Sequence, residues 1–302
     1  MFGFGLGLCG VAALAASGVS QPQISVTAGG GYAGSVYSCT IGGQWSADGK
    51  AIAGATGNSW VMTQKFEGAA IRCGASNIIQ MWLPSDLPAG LAQVWLDPKR
   101  DVTVASGRVV SLPDQIGQRH FAQGTASAQP AYTDESGYPA VHFTNNSTNR
   151  GLAAPDNFVA PYQFYVAQYM SGAEAATPSG NATLVSDGTL TNIARIHTAS
   201  WGYGALSAQN GSDAFFPVVL PLPKSIVALR PANTGAAVNW VLGRGASAMH
   251  SWVGYVFEVL MLSADPSQTH KQMIEGFLAH RNGIASLLPE NHPFKTLGPR
   301  IA

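Results

Sequence analysis

Apolar residues recur along this chain mainly at a period of two. In residues 1–20, Phe2, Phe4, Leu6 and Leu8 alternate with Gly3, Gly5 and Gly7. That alternation sets an apolar face against a bare glycine face, the pattern of a strand that another backbone can approach closely. It predicts an arm that docks on a neighbouring subunit by strand addition or a similar contact. Residues 21–83 carry short apolar runs: Ile24-Ser25-Val26, Val36-Tyr37, Trp45, Ile52, Trp60-Val61-Met62 and Ile71-Arg72-Cys73. Gly29-Gly30-Gly31, Asp48-Gly49 and the Gly54 to Gly57 stretch punctuate them, so the strands are short and build a small β-sandwich. Pro84 and Pro88 stiffen residues 84–90 and mark a boundary there.

Residues 91–302 repeat the β-type pattern on a larger scale, with no alternating helices, which predicts a second sandwich. Gln163 to Met170 has large residues on both faces and reads as a central strand. Val253 to Leu262 is almost wholly apolar, so both of its faces should be covered. One helix follows. Asp265 is its expected cap, Pro266 its first position and Gln268 the partner in a capping-box variant. Met273, Ile274, Phe277, Leu278 and Ile284 share a face and Gly283 is the stop, which predicts a helix on the sandwich edge. The fold expected is all-β, two sandwiches with a single C-terminal helix, and His292 is expected to fix the closing tail through a hydrogen bond.

Composition narrows the function classes. Hydrophobic residues make up 46% and charged residues 11%, well under the ~25% of an average soluble domain. Disordered chains show the opposite trade. Sixteen basic residues balance sixteen acidic ones, which leaves no cationic excess to displace counterions from nucleic acid. No apolar run approaches the ~20 residues of a membrane-spanning helix. The first basic residue is Lys50, so Ala13-Leu14-Ala15 and Ala15-Ala16-Ser17 lack the basic segment that precedes a secretion cleavage site. The arm is therefore expected to be retained.

Catalytic signatures are not legible. Glycosidic hydrolysis needs two carboxyl groups about 5 to 9.5 Å apart, and the glutamates at 67, 135, 174, 258, 275 and 290 supply no such pair on one strand. Asp97 and Asp101 are separated by Pro98. Glu258, the lone charge in an apolar strand, is read as a structural carboxylate paired with an arginine or backbone amides, the alternative being a buried acid of raised pKa. No nucleophile elbow, zinc-protease or phosphate-loop motif occurs. Three cysteines without a C-x-x-C spacing give neither a zinc site nor a disulfide scaffold. Asp187, Asp213 and Asn210 form no compact acidic loop, so no metal or cofactor is expected. Trp201, Tyr203, Asn210 and Asp213 combine aromatic faces with amide and carboxylate groups, which suits sugar stacking as well as ordinary core and turns.

Two resemblances add to this reading. Trp45-Ser-Ala-Asp48-Gly49-Lys-Ala-Ile52, with Glu67-Gly68-Ala-Ala-Ile71-Arg-Cys73 and Asn77, resembles bacterial and phage immunoglobulin-like modules. That resemblance implies a Cys39–Cys73 bridge between sheets. Cys39 lies only six residues before Trp45, however, so two packed thiols remain equally open. Trp95-Leu96-Asp97, Pro113-Asp114, Gln129-Pro130 and Gly137-Tyr138-Pro139, with Glu258-Val-Leu-Met, Ile274-Glu275-Gly276-Phe277 and Leu288-Pro289-x-x-His292-Pro293-Phe294, resemble both ends of concanavalin A-like, laminin-G-type domains of the jelly-roll kind. Leu112 and Asn282 depart from it, standing where Trp is frequent, and residues 171 to 250 match only as generic β-sequence. Together with the arm, the resemblance implies a non-enzymatic virion protein on the outside of a phage or phage-like particle. It would be a homo-oligomer held by other virion subunits and touching host glycans; the alternative is a secreted glycan-binding or glycan-processing protein.

Overall fold

The computed structural model describes residues 21–144, 151–170, 181–187, 193–197, 200–202, 204–213, 222–231, 235–244 and 251–301. The arm residues Phe2, Phe4, Leu6 and Leu8, and Tyr203, lie outside the described residues. Four antiparallel strands, β1 (Ile24–Ala28), β2 (Val36–Ala47), β3 (Lys50–Val61) and β4 (Ile71–Cys73), form the first sheet in the order β1-β2-β3, with β4 also on β2. Its core follows the alternation along β2, where Tyr37, Cys39, Trp45 and Ala47 are buried. Asp48 and Gly49 both take positive φ, 48° and 75°. This is the geometry of a two-residue hairpin turn, whose twist matches the strands it joins.

The remaining strands are β5 (Ala92–Leu96), β6 (Thr103–Ala105), β7 (Arg108–Leu112), β8 (Phe121–Ala122), β9 (Ala131–Glu135), β10 (Tyr138–Phe143), β11 (Leu152–Ala153) and β12 (Tyr162–Tyr169). They continue as β13 (Asn181–Ser186), β14 (Ile193–His197), β15 (Ser200–Gly202), β16 (Gly204–Gln209), β17 (Ser225–Pro231), β18 (Val241–Leu242) and β19 (Gly254–Leu262). One curled antiparallel sheet links them, with β19 between β10 and β12, β5 also on β19, and β17 outside β12. The chain is all-β with one described α-helix, α1 (Gln268–Arg281), near its C-terminus.

The two apolar strands lie where their composition requires. Val256, Val259 and Met261 of β19 point into the sandwich interior with Val94, Leu96, Tyr165, Val227 and Leu229. Phe257, Leu260 and Leu262 point to the opposite face with Trp95, Phe164, Val166 and Ile226. That second face is covered by α1, whose Ile274, Phe277 and Leu278 join the same cluster as Tyr32, Tyr37, Trp45 and Trp82 of the N-terminal region.

The helix therefore departs from the edge position expected of it. It is clasped between the sheet face and the small N-terminal sheet, and the tail covers a further side, so Lys271, Glu275, Gly276 and Ala279 are buried as well. Phe294 packs on Gly276, where an added Cβ would meet the ring at 2.4 Å. Its start also differs from the expected cap: Ser267 accepts the His270 N–H at 3.2 Å, while Asp265 forms an ion pair with Arg230 at 2.6 Å. Ser267 stands one residue before the first turn, where a hydroxyl reaches an orphan amide.

Residues 84–90 are not a free tether, since Pro84 and Leu87 are buried. The segment just before them is gripped by the chain's end: Trp82 N donates to Pro299 O, and Ile301 N to Gln80 O, both at 3.0 Å. Within the tail, His292 accepts the Phe294 N–H on Nδ1 at 3.2 Å and lies 3.4 Å from Glu275, the anchoring role expected of it.

Candidate functional site: a buried charge network in the seam

At the seam between the small sheet and the sandwich, Phe277 is ringed by three aromatic side chains. Tyr32, Trp82 and Trp95 meet it edge-on at centroid distances of 5.4, 5.7 and 5.6 Å. Such pairs add about 0.5–1.5 kcal/mol each beyond their buried area. One helical turn later comes Arg281, whose side chain is 1% exposed, and three carboxylates converge on it.

Each carboxylate arrives by a separate local rule. Asp97 follows β5, and the period of two puts it on the same face as Trp95. Glu67 ends a single 3-10 turn, Gln64–Phe66, and its Oε1 accepts the Ala33 N–H at 2.9 Å. Glu258 depends on a β-bulge. In the β12–β19 ladder Val166 pairs with Glu258 but Ala167 pairs with Val256, so Phe257 is skipped. A bulge re-aims the side chains that follow it. Without it Glu258 would share the parity of Val256 and enter the apolar interior; with it, the carboxylate faces the helix.

Four hydrogen bonds tie Arg281 to the three carboxylates. Its Nε and Nη2 donate to Glu67 Oε2 at 3.1 and 2.8 Å, its Nη2 also to Asp97 Oδ2 at 2.8 Å, and its Nη1 to Glu258 Oε1 at 2.5 Å. Trp95 Nε1 donates to Glu258 Oε1 at 2.8 Å, and Asn282 Nδ2 to Glu258 Oε2 at 2.8 Å. Arg100 bonds Glu67 at 2.8 Å and lies 3.3 Å from Asp97, while Lys99 lies 3.4 Å from Glu258 and donates to Asn282 at 2.8 Å. Three carboxylates thus meet three cations. Glu258 is the arginine-paired structural carboxylate that its place in the sequence suggests.

Electrostatics follow from this closure. Burial pushes the Glu67 carboxyl up, but the Arg281 charge and hydrogen bonds from Arg281, Ala33 and Arg100 outweigh it, and the group sits below the usual carboxylate range. Asp97 behaves alike: burial opposes ionisation, and the Arg281 and Lys99 charges overcome it. Burial works against the Arg281 cation, yet the Asp97, Glu258 and Glu67 charges hold it protonated well above the ordinary value. Asp97 and Glu258 are both at 0% exposure, so these carboxylates are closed off from solvent. Beside them Lys224 places its amine 3.3 Å from the Tyr138 ring centroid and 4.2 Å from that of Phe257. Burial, then the Lys99 charge, lowers it to about 7 against the pull of Glu135 and Glu258.

The residues singled out from sequence lie elsewhere. Trp201 is in β15, opposite Ile196. Asn210 takes φ 50° in a turn, and its Oδ1 accepts the Ile226 N–H at 2.8 Å. Asp213 pairs with Lys271 of the helix. Asn210 and Asp213 therefore hold chain to chain. Cys39 and Cys73 are two buried thiols rather than a bridge. Their sulfurs turn toward separate carbonyls, Ile41 at 3.2 Å and Gly57 at 3.9 Å. Burial, reinforced by the neighbouring Cys39 thiol, pushes Cys73 up to about 12. Among the described residues no group of three or more His, Cys, Asp or Glu is placed to hold a metal ion, and no helix is long and apolar enough to cross a membrane.

Sequence reasoning missed Glu67, Lys99, Arg100 and Arg281 as partners. The available signal was Arg281 itself, a cation four residues beyond Phe277 on the apolar face of the helix.

Fold and site together define an all-β protein with a curled antiparallel sheet, a helix clasped against one of its faces, and a closed ionic lock where the small sheet meets that helix. No protein family, curated protein or solved structure matches the chain.

Proposed function

We propose that this chain is a non-enzymatic structural protein displayed on the exterior of a phage or phage-like particle, as a head fibre, spike or decoration protein. In this reading the first twenty residues dock on neighbouring subunits, the small immunoglobulin-like sheet connects, and the larger lectin-type sandwich faces outward toward host glycans. Multiple copies turn weak sugar contacts into avidity.

The observation that supports the reading is the lock around Arg281. It commits Glu67, Asp97 and Glu258 to holding the two parts of the chain together, in a place closed to substrate. A displayed body benefits from such rigidity, because the outward face is then positioned by the anchored one.

Electron microscopy of the native source, combined with intact-mass analysis of the extracted protein, tests the proposal. Particles labelled by an antibody to the sandwich, and a chain that keeps Phe2 to Leu8, are the expected result. A monomer free in the medium and beginning near residues 16 to 18 refutes the particle role and favours a secreted glycan-binding protein.

A further inference from the structure

A cleft along the described seam measures about 550 Å³, within the ~300–1,000 Å³ typical of small-molecule sites. The Gly29 to Ser35 loop of the small sheet forms one wall. Tyr138 of β10, the C-terminal end of the helix with His280, and tail residues Lys295 and Thr296 form the others. We propose that this cleft binds a neutral, polyhydroxylated ligand, a sugar unit of a surface glycan. The inference rests on the glycan-contact part of the function proposed above and names its site.

The chemistry of the walls selects the ligand class. The one ammonium on the cleft is already committed: Lys295 Nζ donates to Ser286 O at 2.8 Å and Leu288 O at 2.5 Å, and pairs with Glu290 at 3.1 Å. Those three acceptors match its three protons, so nothing is left to clamp a phosphate or carboxylate. His280 bonds the Phe294 carbonyl through Nε2 at 2.8 Å. That bond makes Nε2 the protonated nitrogen, and Nδ1 is packed against Gly30, where an added Cβ would sit 2.0 Å away, so the ring offers a ligand no charge and no free donor. Burial lowers the His280 pKa below that of free imidazole, so the ring is neutral at pH 7. No carboxylate lines the cleft to attract a cationic ligand.

What remains is hydroxyl and backbone. The Ser286 and Thr296 side chains make no hydrogen bond to another described residue and line the cleft with His280. A hydroxyl both donates and accepts, so these two match the vicinal hydroxyls of a sugar. Tyr138 contributes a further wall, one face of its ring being covered by the Lys224 amine at 3.3 Å from its centroid. The glycines of the loop, Gly29, Gly30 and Gly34, keep that wall low, so a ligand enters from solvent as a chain end or a branch.

Both parts of the chain build the cleft, and His280 directly precedes Arg281, so the ionic lock also fixes the width of this site. Interdomain position is itself a frequent place for ligand sites.

The test uses the full chain on an array of neutral and acidic glycans, followed by saturation-transfer NMR on the strongest neutral hit. Three variants accompany it: Ser286→Trp, which fills the cleft from an exposed position, Thr296→Ala, and Thr103→Ala, an exposed position of β6, as a control outside the cleft. Unchanged melting temperatures establish that the variants fold. Binding of neutral glycans that falls more than about tenfold in Ser286→Trp, weakens in Thr296→Ala and persists in Thr103→Ala is the expected pattern, tenfold being about 1.4 kcal/mol. Neutral-glycan binding that Ser286→Trp leaves intact overturns the cleft while the glycan-contact reading stands. Binding confined to acidic glycans overturns the ligand class. Binding to none overturns both the cleft and the glycan contact, while the particle role is still judged separately by microscopy.

Discussion

Replacing Arg281 with methionine removes the hub of the seam and keeps most of its apolar bulk. The wild-type side chain makes four hydrogen bonds to three carboxylates at 2.5 to 3.1 Å. The variant leaves Glu67, Asp97 and Glu258 with only Arg100 and Lys99 as counter-ions, and these approach from the partly exposed rim, with side chains 20% and 12% accessible. Removing one partner of a buried ion pair costs about 3–5 kcal/mol, mostly the penalty of the charge left behind. Against a total stability of about 5–15 kcal/mol for a folded protein, that loss is large. An unfolding entropy of about 2.1 cal/mol/K per residue converts it to a fall in Tm of roughly 5–8 °C for a chain of 302 residues.

The pH dependence of that loss separates charge from packing. In the wild type Glu67 and Asp97 titrate below their unfolded values, so their contribution is complete above about pH 5 and is lost as pH falls through the lower folded values. In Arg281→Met the same burial acts with little compensation and raises the folded values above the unfolded ones. The variant is then penalised at neutral pH and relieved as its carboxylates take up protons. The gap between the two proteins should be widest at pH 7 and narrow steadily toward pH 4. Calorimetry at half-unit steps between those limits measures it. A fall in Tm under about 2 °C at pH 7, or a gap that stays constant with pH, refutes the account of Arg281 as the counter-charge of the seam.

Two further outcomes follow from the same geometry. Gly283→Ala should destabilise by about 1–3 kcal/mol, because Gly283 has φ 69° and an added Cβ would lie 1.8 Å from the Tyr138 hydroxyl; a denaturant midpoint equal to that of the wild type contradicts this. In a Cys9→Ser variant, Cys39 and Cys73 should resist a thiol reagent at pH 8 in the native protein and react fully in guanidinium, since both are buried and Cys73 is pushed up to about 12; absorbance of the released chromophore gives the count, and rapid native reaction of either thiol contradicts their placement.

Much of the fold could be read from period and composition. The run from Val253 to Leu262 announced a strand covered on both faces, and β19 is that strand, because ten residues with one charge have no face suited to water. Gln163 to Met170 behaved the same way. The helix was visible from its apolar stripe and from Gly283, yet its place was not. A stripe shows that one face is buried and says nothing of the others, and here the tail and the small sheet cover residues such as Glu275 and Lys271 that look solvent-facing in sequence. The cap moved from Asp265 to Ser267 because Asp265 had an alternative partner in Arg230, 35 residues away.

The site was harder to see for a specific reason. Glu258 stood out as a lone charge, but strict alternation would have sent it into the sandwich interior. Only the bulge at Phe257, a feature of pairing with β12 rather than of its own sequence, turns it toward the helix. Glu67, Asp97 and Arg281 lie 214 and 184 residues apart along the chain in their pairings, and no local pattern joins them. Asn210 and Asp213 show a second limit of sequence reading, since the turn and helix-pairing contacts they make use the same residue types as sugar recognition.

The seam divides its work between two kinds of contact. Phe277 and its three aromatic neighbours supply non-directional attraction, which by itself would tolerate sliding of the small sheet over the helix. The guanidinium fork of Arg281 does not. Its donors lie in one plane at fixed angles, and they are met by acceptors from the small sheet, from the end of β5 and from β19. A shift of the small sheet by the length of one hydrogen bond leaves Glu67 buried without its partner, at a cost comparable to that worked out for Arg281→Met. The balance also requires both parts of the chain: Asp97 and Glu258 alone leave Lys99, Arg100 and Arg281 with one positive charge in excess, and Glu67 neutralises it. A protein with only 11% charged residues thus concentrates six of them where the relative placement of its two parts is decided. The cleft beside His280 inherits its shape from that placement.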